Sequence, residues 1–334
     1  MKIWHAYYTL TPRLGSLGGH AKSRAREGAL IRVEHDDGSI GYADVHPWSE
    51  LGDEPLAIQI QKLANFETTE LTQRSLELAA LDSEARKAGV SAFQGLQVPN
   101  SHFLITDLKK NFQSELMKAF DEGYSTLKLK VGRTVLSLNE DRVTLEKSIS
   151  TLQNFRLRLD FNSQRNHIEV QEWLQSLTPA LRQSIEFLED PCPWNIGNWA
   201  QLRENGHVPL AIDHESEEIF STAESGPVAQ LLADAIVKPA VQDPNEVVNT
   251  ALRYVVTSYL DHPVGQLGAA LEAGYLASRV QVGVCGLLSH TSYEKNSYSE
   301  AFPSKGPTLT PRLGDPGIGF TDLLEKENWQ ELYS

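Results

Sequence analysis

Thr126-Leu127-Lys128-Leu129-Lys130-Val131 is the run on which the fold turns. It reads as a β-strand, whose successive side chains point to opposite faces, so Leu127 and Leu129 share one side and Lys128 and Lys130 the other. Two lysines on one strand face usually mark an exposed sheet edge. The surrounding chain argues otherwise. His102-Phe103-Leu104-Ile105 and a helical stretch near 112–122 precede the run. After it, amphipathic stretches alternate with Leu157-Arg158-Leu159, Ile185-Glu186-Phe187-Leu188, Pro209-Leu210-Ala211-Ile212, Ala235-Ile236-Val237, Tyr254-Val255-Val256-Thr257 and Gln281-Val282-Gly283-Val284. Alternation of this kind builds right-handed βαβ units around a parallel sheet, an α/β fold. Seven or eight such strands within about 190 residues favour closure into a (β/α)7-8 barrel of the TIM type. A barrel strand is buried on both faces, so lysines inside one need a reason.

The reason lies at the strand ends. Asp160 follows Leu157-Arg158-Leu159, Glu189 follows Leu188, Asp213 follows Ile212, and Lys238 follows Val237. From Lys130 through these four, the steps are 30, 29, 24 and 25 residues, each the length of one strand plus one helix. Any one of the acids alone would pass as a turn residue or helix N-cap. Turn chemistry does not predict the regular spacing. Five successive strands thus end in charge at the C-terminal rim, where barrel enzymes carry their active sites. Three converging carboxylates repel one another, and some would be driven to stay protonated. A divalent cation removes the conflict, and all-oxygen ligation by Asp160, Glu189 and Asp213 suits Mg²⁺ or Mn²⁺. Such a cation lowers the pKa of flanking lysines, and a neutral lysine is a competent general base.

The rest of the chain narrows the field. Among 334 residues, 44 acidic and 30 basic side chains leave a formal net charge of −14, and 40% hydrophobic content is that of a folded protein. The acidic surplus argues against nucleic acid and against an anionic membrane surface, leaving a small molecule as the expected partner. Cys192 and Cys285 form neither a disulfide framework nor a zinc motif. Met1-Lys2-Ile3-Trp4-His5 lacks a signal-like apolar region, and no apolar run approaches the roughly 18 residues of a spanning helix, so a cytoplasmic protein is expected. Monomer and homo-oligomer stay open.

Residues 1–100 read as an α+β unit. Ala29–Val33 and Ile40–Val45 flank the Asp36-Asp37-Gly38-Ser39 turn as a hairpin, and a helix over Ser75–Ala88 ends at Gly89. Residues 101–299 form the barrel, and 300–334 return to the first unit. Gly314-Asp315-Pro316-Gly317-Ile318-Gly319 has no leading strand or phosphate-loop lysine and reads as a turn. The ten histidines include no HExxH, although His214 stands beside a ligand candidate.

These residues carry a family resemblance. Lys128-Leu129-Lys130 resembles the KxK motif of the enolase superfamily. Asp160-Phe161-Asn162, Glu189-Asp190-Pro191, Asp213 and Lys238-Pro239 resemble its three metal-ligand strands and its second lysine. Leu81-Asp82-Ser83-Glu84-Ala85 lies where the superfamily's capping domain has its last helix, and Pro316-Gly317-Ile318-Gly319 resembles its C-terminal return. Lysines on opposite sides of the site point to the muconate-lactonizing subgroup. Within it, Leu157–Asn162, Phe187–Cys192 and Thr257–Asp261 are most similar to the o-succinylbenzoate synthase family.

The resemblance implies a Mg²⁺-dependent hydro-lyase that dehydrates a hydroxycyclohexadiene carboxylate to o-succinylbenzoate in menaquinone biosynthesis. It implies Lys130 as the base, Lys238 as its counterpart on the opposite face, and Lys128, Ser258 and Arg26 as substrate contacts, Arg26 within a flap around Ser23–Glu27. The same motifs serve N-acylamino acid racemases and dipeptide epimerases, in which the two lysines would exchange protons from both faces. Two departures stand out. Asp213-His214-Glu215-Ser216 replaces the usual Asp-Glu-Ser, which leaves Glu215 as an alternative third ligand. Asp261-His262 replaces a Glu-Ser pair. A Schiff-base aldolase and a non-catalytic metal-binding barrel are the rivals from other classes, and neither accounts for three strand-end carboxylates and flanking lysines together.

Overall fold

The computed structural model describes residues 1–13, 17, 24–133, 135–213, 226–245 and 252–332. The N-terminal unit is an antiparallel sheet of β1 (Lys2–Leu10), β2 (Arg26–Glu34) and β3 (Ile40–Val45). The β2–β3 turn closes because Gly38 takes φ 79° and the Asp37 carboxylate accepts from Ser39 N at 3.0 Å. Helix α1 (Leu56–Ala64) leads to α2 (Glu70–Lys87), which lies across the sheet. Leu71, Leu78 and Ala79 of α2 bury against Ile31, Val33, Ala43 and Val45. The approach needs glycine at position 41, where a Cβ would stand 1.8 Å from the Ala79 carbonyl oxygen.

The helix begins five residues before Ser75, capped by Thr69, which accepts from Thr72 N at 3.2 Å, and Gly89 follows its end with φ 68°. Strand β1 and helix α1 were not expected from the sequence. β1 hides its apolar periodicity, because His5 is buried beside Ile3 and Ala6 while Tyr7 faces outward.

Seven parallel strands follow: β4 (Phe103–Ile105), β5 (Thr126–Lys130), β6 (Arg156–Asp160), β7 (Ile185–Glu189), β8 (Leu210–Ile212), β9 (Asp234–Val237) and β10 (Arg253–Val256). They pair in chain order. The helices between and after them are α3 (Phe112–Asp121), α4 (Val135–Lys147), α5 (Ile149–Leu152), α6 (His167–Ser176), α7 (Pro179–Ser184), α8 (Ile196–Gly206), α9 (Gly226–Leu231) and α10 (Pro263–Ala277). The expected strand at 281–284 is present only as isolated bridges, but these close the ring. Val282 and Gly286 bridge to Tyr254 and Thr257 on one side, and Cys285 to Ser101 on the other. Cys285 N donates to Asn100 O and His102 N to Cys285 O, both at 2.7 Å. Leu127, Leu129, Leu157 and Leu159 face the helices, so their alternates Lys128, Lys130, Arg158 and Asp160 face the barrel interior.

Residues after 300 touch both units. Pro307 O accepts from Ser101 N at 2.8 Å. Farther on, the short strand β11 at Gln330–Glu331 pairs with β1, Trp4 opposite Glu331 and His5 opposite Gln330. Between them Asp82, buried on α2, accepts from Ile318 N at 2.6 Å and Tyr42 N at 2.8 Å. Gly317 makes that approach possible: its φ is 65°, and a Cβ there would lie 2.0 Å from Asp82 Oδ1. The two motifs singled out in the sequence, around Asp82 and around Gly317, therefore meet. Among the described residues no helix is long and apolar enough to cross a membrane. Cys192 and Cys285 are buried free thiols.

Candidate active site

The strand register lines up the charges. Lys130 stands opposite Asp160 on β6, and Asp160 opposite Glu189 on β7. β8 continues the row, and Asp213 follows it directly, while Lys238 follows β9. Lys130 Nζ donates to Asp160 Oδ2 at 2.5 Å and to Asn162 Oδ1 at 2.7 Å. Lys128 Nζ lies 2.9 Å from Asp160 Oδ2 and 2.5 Å from Glu189 Oε1. Lys238 Nζ lies 2.5 Å from Asp213 Oδ1. Lys130 and Lys238 thus come from opposite ends of the row, with the three carboxylates between them.

The backbone turns sharply at these ends. Asn162 (φ 48°), Ser163 (φ 55°) and Asp190 (φ 42°) all lie in the left-handed region, which bulkier side chains avoid. Two carboxylates hold the turns: Asp160 Oδ1 accepts from Asn162 N, and Asp190 Oδ1 from Asp213 N, each at 2.9 Å. Each ligand candidate is therefore the last strand residue or the one just beyond it.

Asp160 and Glu189 are each only 1% exposed, and this burial sets the electrostatics. Burial works against the Asp160 carboxylate, but Lys128 and Lys130 outweigh it and hold the group well below the usual carboxylate range. Glu189 is pushed up to about 8 by burial and the neighbouring Asp160 charge. Burial likewise opposes the Lys128 ammonium, yet Asp160, Glu189 and Asp213 together hold it above its ordinary range. The crowding expected of three strand-end acids is thus present, and ammonium groups take up much of it.

Among the described residues no three His, Cys, Asp or Glu side chains are gathered to hold a metal ion, and these carboxylates are paired with lysines. The donor set nevertheless fits Mg²⁺. It is all oxygen and comes from three adjacent strand ends, and after burial it is the neighbouring Asp160 charge that raises Glu189, a charge a divalent cation would offset.

Ser258 follows β10, donating from N to Gly286 O at 3.0 Å, with its hydroxyl 2.8 Å from Ser289 Oγ. Arg26 departs from expectation, because it opens strand β2 instead of riding in a flap, and it is buried. Its guanidinium lies 4.1 Å over the Trp48 ring and bonds Glu50 at 2.9 Å. Trp48 packs with Tyr259 and Tyr293, beside Ala240 and Val241 of the Lys238 turn. Ser23, His214 and Glu215 lie outside the described residues. Two site residues were not given roles from the sequence: Asn162, which contacts Lys130, and Asp190, which fixes Asp213. A signal existed for both, since each stands one or two positions past a ligand candidate, where a strand must turn.

Two family models match the chain: "O-succinylbenzoate synthase, N-terminal domain" over residues 3–85, and "Enolase C-terminal domain-like" over residues 111–242. The chain is 33% identical to the o-succinylbenzoate synthase of Bdellovibrio bacteriovorus, covering 99% of both. The chain belongs to the o-succinylbenzoate synthase family of the enolase superfamily. The o-succinylbenzoate synthases it matches are lyases. The o-succinylbenzoate synthase of Pectobacterium atrosepticum is 22% identical over 80% of this chain and 85% of that protein. In fold, the chain is similar to a dipeptide epimerase from Enterococcus faecalis solved with Mg and L-Leu-L-Tyr, at TM-score 0.74 and 14% identity, over 95% of this chain and 98% of that one. Family membership and the TIM-type barrel with its N-terminal antiparallel cap agree with the sequence reading.

Proposed function

We propose that the protein is a Mg²⁺-dependent o-succinylbenzoate synthase, acting in menaquinone biosynthesis on the hydroxycyclohexadiene carboxylate precursor. The observation that carries this is the row of Asp160, Glu189 and Asp213 between Lys130 and Lys238. Residues 1–100 with 300–334 would form the cap, and 101–299 the catalytic barrel. Asp160, Glu189 and Asp213 would hold Mg²⁺, with Mn²⁺ as a substitute. Bound there, the ion supplies Lewis acidity that stabilises negative charge on the substrate carboxylate.

Lys130 acts as the base and takes the proton α to that carboxylate. The carbon–oxygen bond to the hydroxyl then breaks, and Lys130 returns the proton to the departing hydroxide on the same face, releasing water. Lys238 stays protonated on the other face and stabilises the delocalised anion by charge. Lys128, bonded to both Asp160 and Glu189, offsets their mutual repulsion, and would tune the site or hydrogen-bond substrate. Ser258 would contact substrate, and so would Arg26, which stacks on Trp48 beside the Lys238 turn.

Purified protein with Mg²⁺ and the precursor should lose the diene absorbance, and no turnover in that assay would overturn the reading. A second reading has its own support. Two lysines at opposite ends of the row also suit proton exchange from both faces, and a dipeptide epimerase shares the fold. Racemisation of N-acylamino acids and epimerisation of dipeptides are therefore measured in parallel.

A further inference from the structure

Lys238 ends β9, and the chain turns at once. Val241 N and Gln242 N both donate to the Lys238 carbonyl at 3.0 Å, and Lys238 N donates to Gln242 Oε1 at 2.8 Å. This turn sets where the Lys238 stem begins, and its anchor comes from outside the barrel wall. Arg74, on cap helix α2, donates from Nε to the Pro239 carbonyl at 3.0 Å. Its Nη2 donates to Glu272 Oε1 on barrel helix α10 at 2.6 Å. Its Nη1 pairs with Glu77 on its own helix and lies 3.9 Å from Asp243, at the far end of the same turn.

Arg74 is 6% exposed and Glu272 5%, whereas Glu77 is much more open. A guanidinium is costly to take out of water and is retained only with its donors satisfied. Its rigid fork can serve a carbonyl and a carboxylate in different directions, which an ammonium cannot do with the same geometry. Ala240 and Val241 of the turn also pack against the apolar core of the cap. The residue following the site lysine is thus tied to the cap by a buried hydrogen bond and flanked by apolar contacts to the same unit.

We propose that Arg74, braced by Glu272, is a positioning residue for Lys238, so that the cap aims the lysine on one face of the substrate. It acts through the Pro239 carbonyl and touches no reacting atom. The inference rests on the role given to Lys238 above. It goes further by assigning the aim of that lysine to a residue more than 160 positions earlier in the chain.

The test uses the full-length protein with Mg²⁺ and the precursor, comparing Arg74→Lys, Glu272→Gln and Glu77→Gln. Small misplacement of a reacting group costs up to on the order of 100-fold in rate. Arg74→Lys and Glu272→Gln should therefore each lower kcat by about 10- to 100-fold while KM stays nearly constant. Glu77→Gln, which removes only the open partner, should leave kcat unchanged. The inference fails if the first two variants lower kcat no more than Glu77→Gln, or if their losses merely track the folded fraction measured by thermal unfolding. Lys238→Ala is run alongside. If that variant keeps full turnover, the role of Lys238 fails; if it is inactive while Arg74→Lys and Glu272→Gln turn over normally, only the positioning role fails.

Discussion

Glu186 and Glu189 stand three residues apart on β7 and are driven in opposite directions. At the N-terminal end of the barrel, burial opposes the Glu186 carboxylate but hydrogen bonds from Arg158 and Arg253 hold it below its ordinary value. A bulge places it there: Leu157 pairs with Ile185 but Arg158 with Phe187, so Glu186 falls between rungs and turns to the fully buried Arg158. Arg253 completes the network, bonding Glu186 at 2.7 Å and Asp234 at 2.6 Å. At the C-terminal end, burial and the neighbouring Asp160 charge push Glu189 up to about 8, against the opposing pull of Lys128. Arginines in a fixed fork make one end a permanent plug. Lysines, whose partners can be exchanged for a cation or a substrate, leave the other end open to chemistry.

The comparison breaks most visibly through Lys130. Lys130→Ala should lower kcat by about 10³-fold or more, the scale of a lost general base, while the fold is kept. Retained dehydration would remove Lys130 as the base. Arg158→Met should do the reverse, costing about 3–5 kcal/mol of stability by leaving Glu186 buried and incompletely paired. Denaturant unfolding would measure it, and kcat per folded molecule should hardly change. A smaller effect separates the ends by ligand. Mg²⁺ at about 100 times its Kd should add about 2.7 kcal/mol, and chelator should remove it. Glu189→Gln should weaken the response, whereas Arg158→Met should keep it. Equal responses in these two variants would move the metal elsewhere.

The smallest effect is at acid pH. Glu186 has a folded value below its unfolded 4.5, so its contribution is present above about pH 4.5 and is lost as pH falls through the folded value. Unfolding followed from neutral to acid pH should show a shallower decline in Glu186→Gln. A steeper decline would mean that the Arg158 and Arg253 contacts do not protect this carboxylate.

The rim was legible because a barrel repeats. Lys130, Asp160, Glu189, Asp213 and Lys238 fall one structural unit apart, and periodic charge survives in a sequence even when its partners are far away. Strand β1 was not legible, since a buried histidine and an exposed tyrosine scramble its alternation. The strand at 281–284 was legible as β-prone sequence, but its pairing is reduced to bridges. Arg74 was hidden among the charges of α2, although it lies on the stripe of Leu71, Ser75, Leu78, Ala79 and Asp82 that the helix buries. A charge on an apolar stripe is the local sign of a distant partner, and only the fold supplies the partner's name.

The pairing of Trp4 and His5 with Glu331 and Gln330 has a consequence in time. The two strands are 327 positions apart at Trp4 and Glu331. At about 5–20 residues per second, synthesis of that interval takes on the order of 15 to 65 seconds. For all of it, one edge of β1 has no partner, while the barrel strands pair with neighbours made moments earlier. The N-terminal sheet is therefore completed only after the barrel strands, and the nascent protein carries an open strand edge until Gln330 and Glu331 have been made.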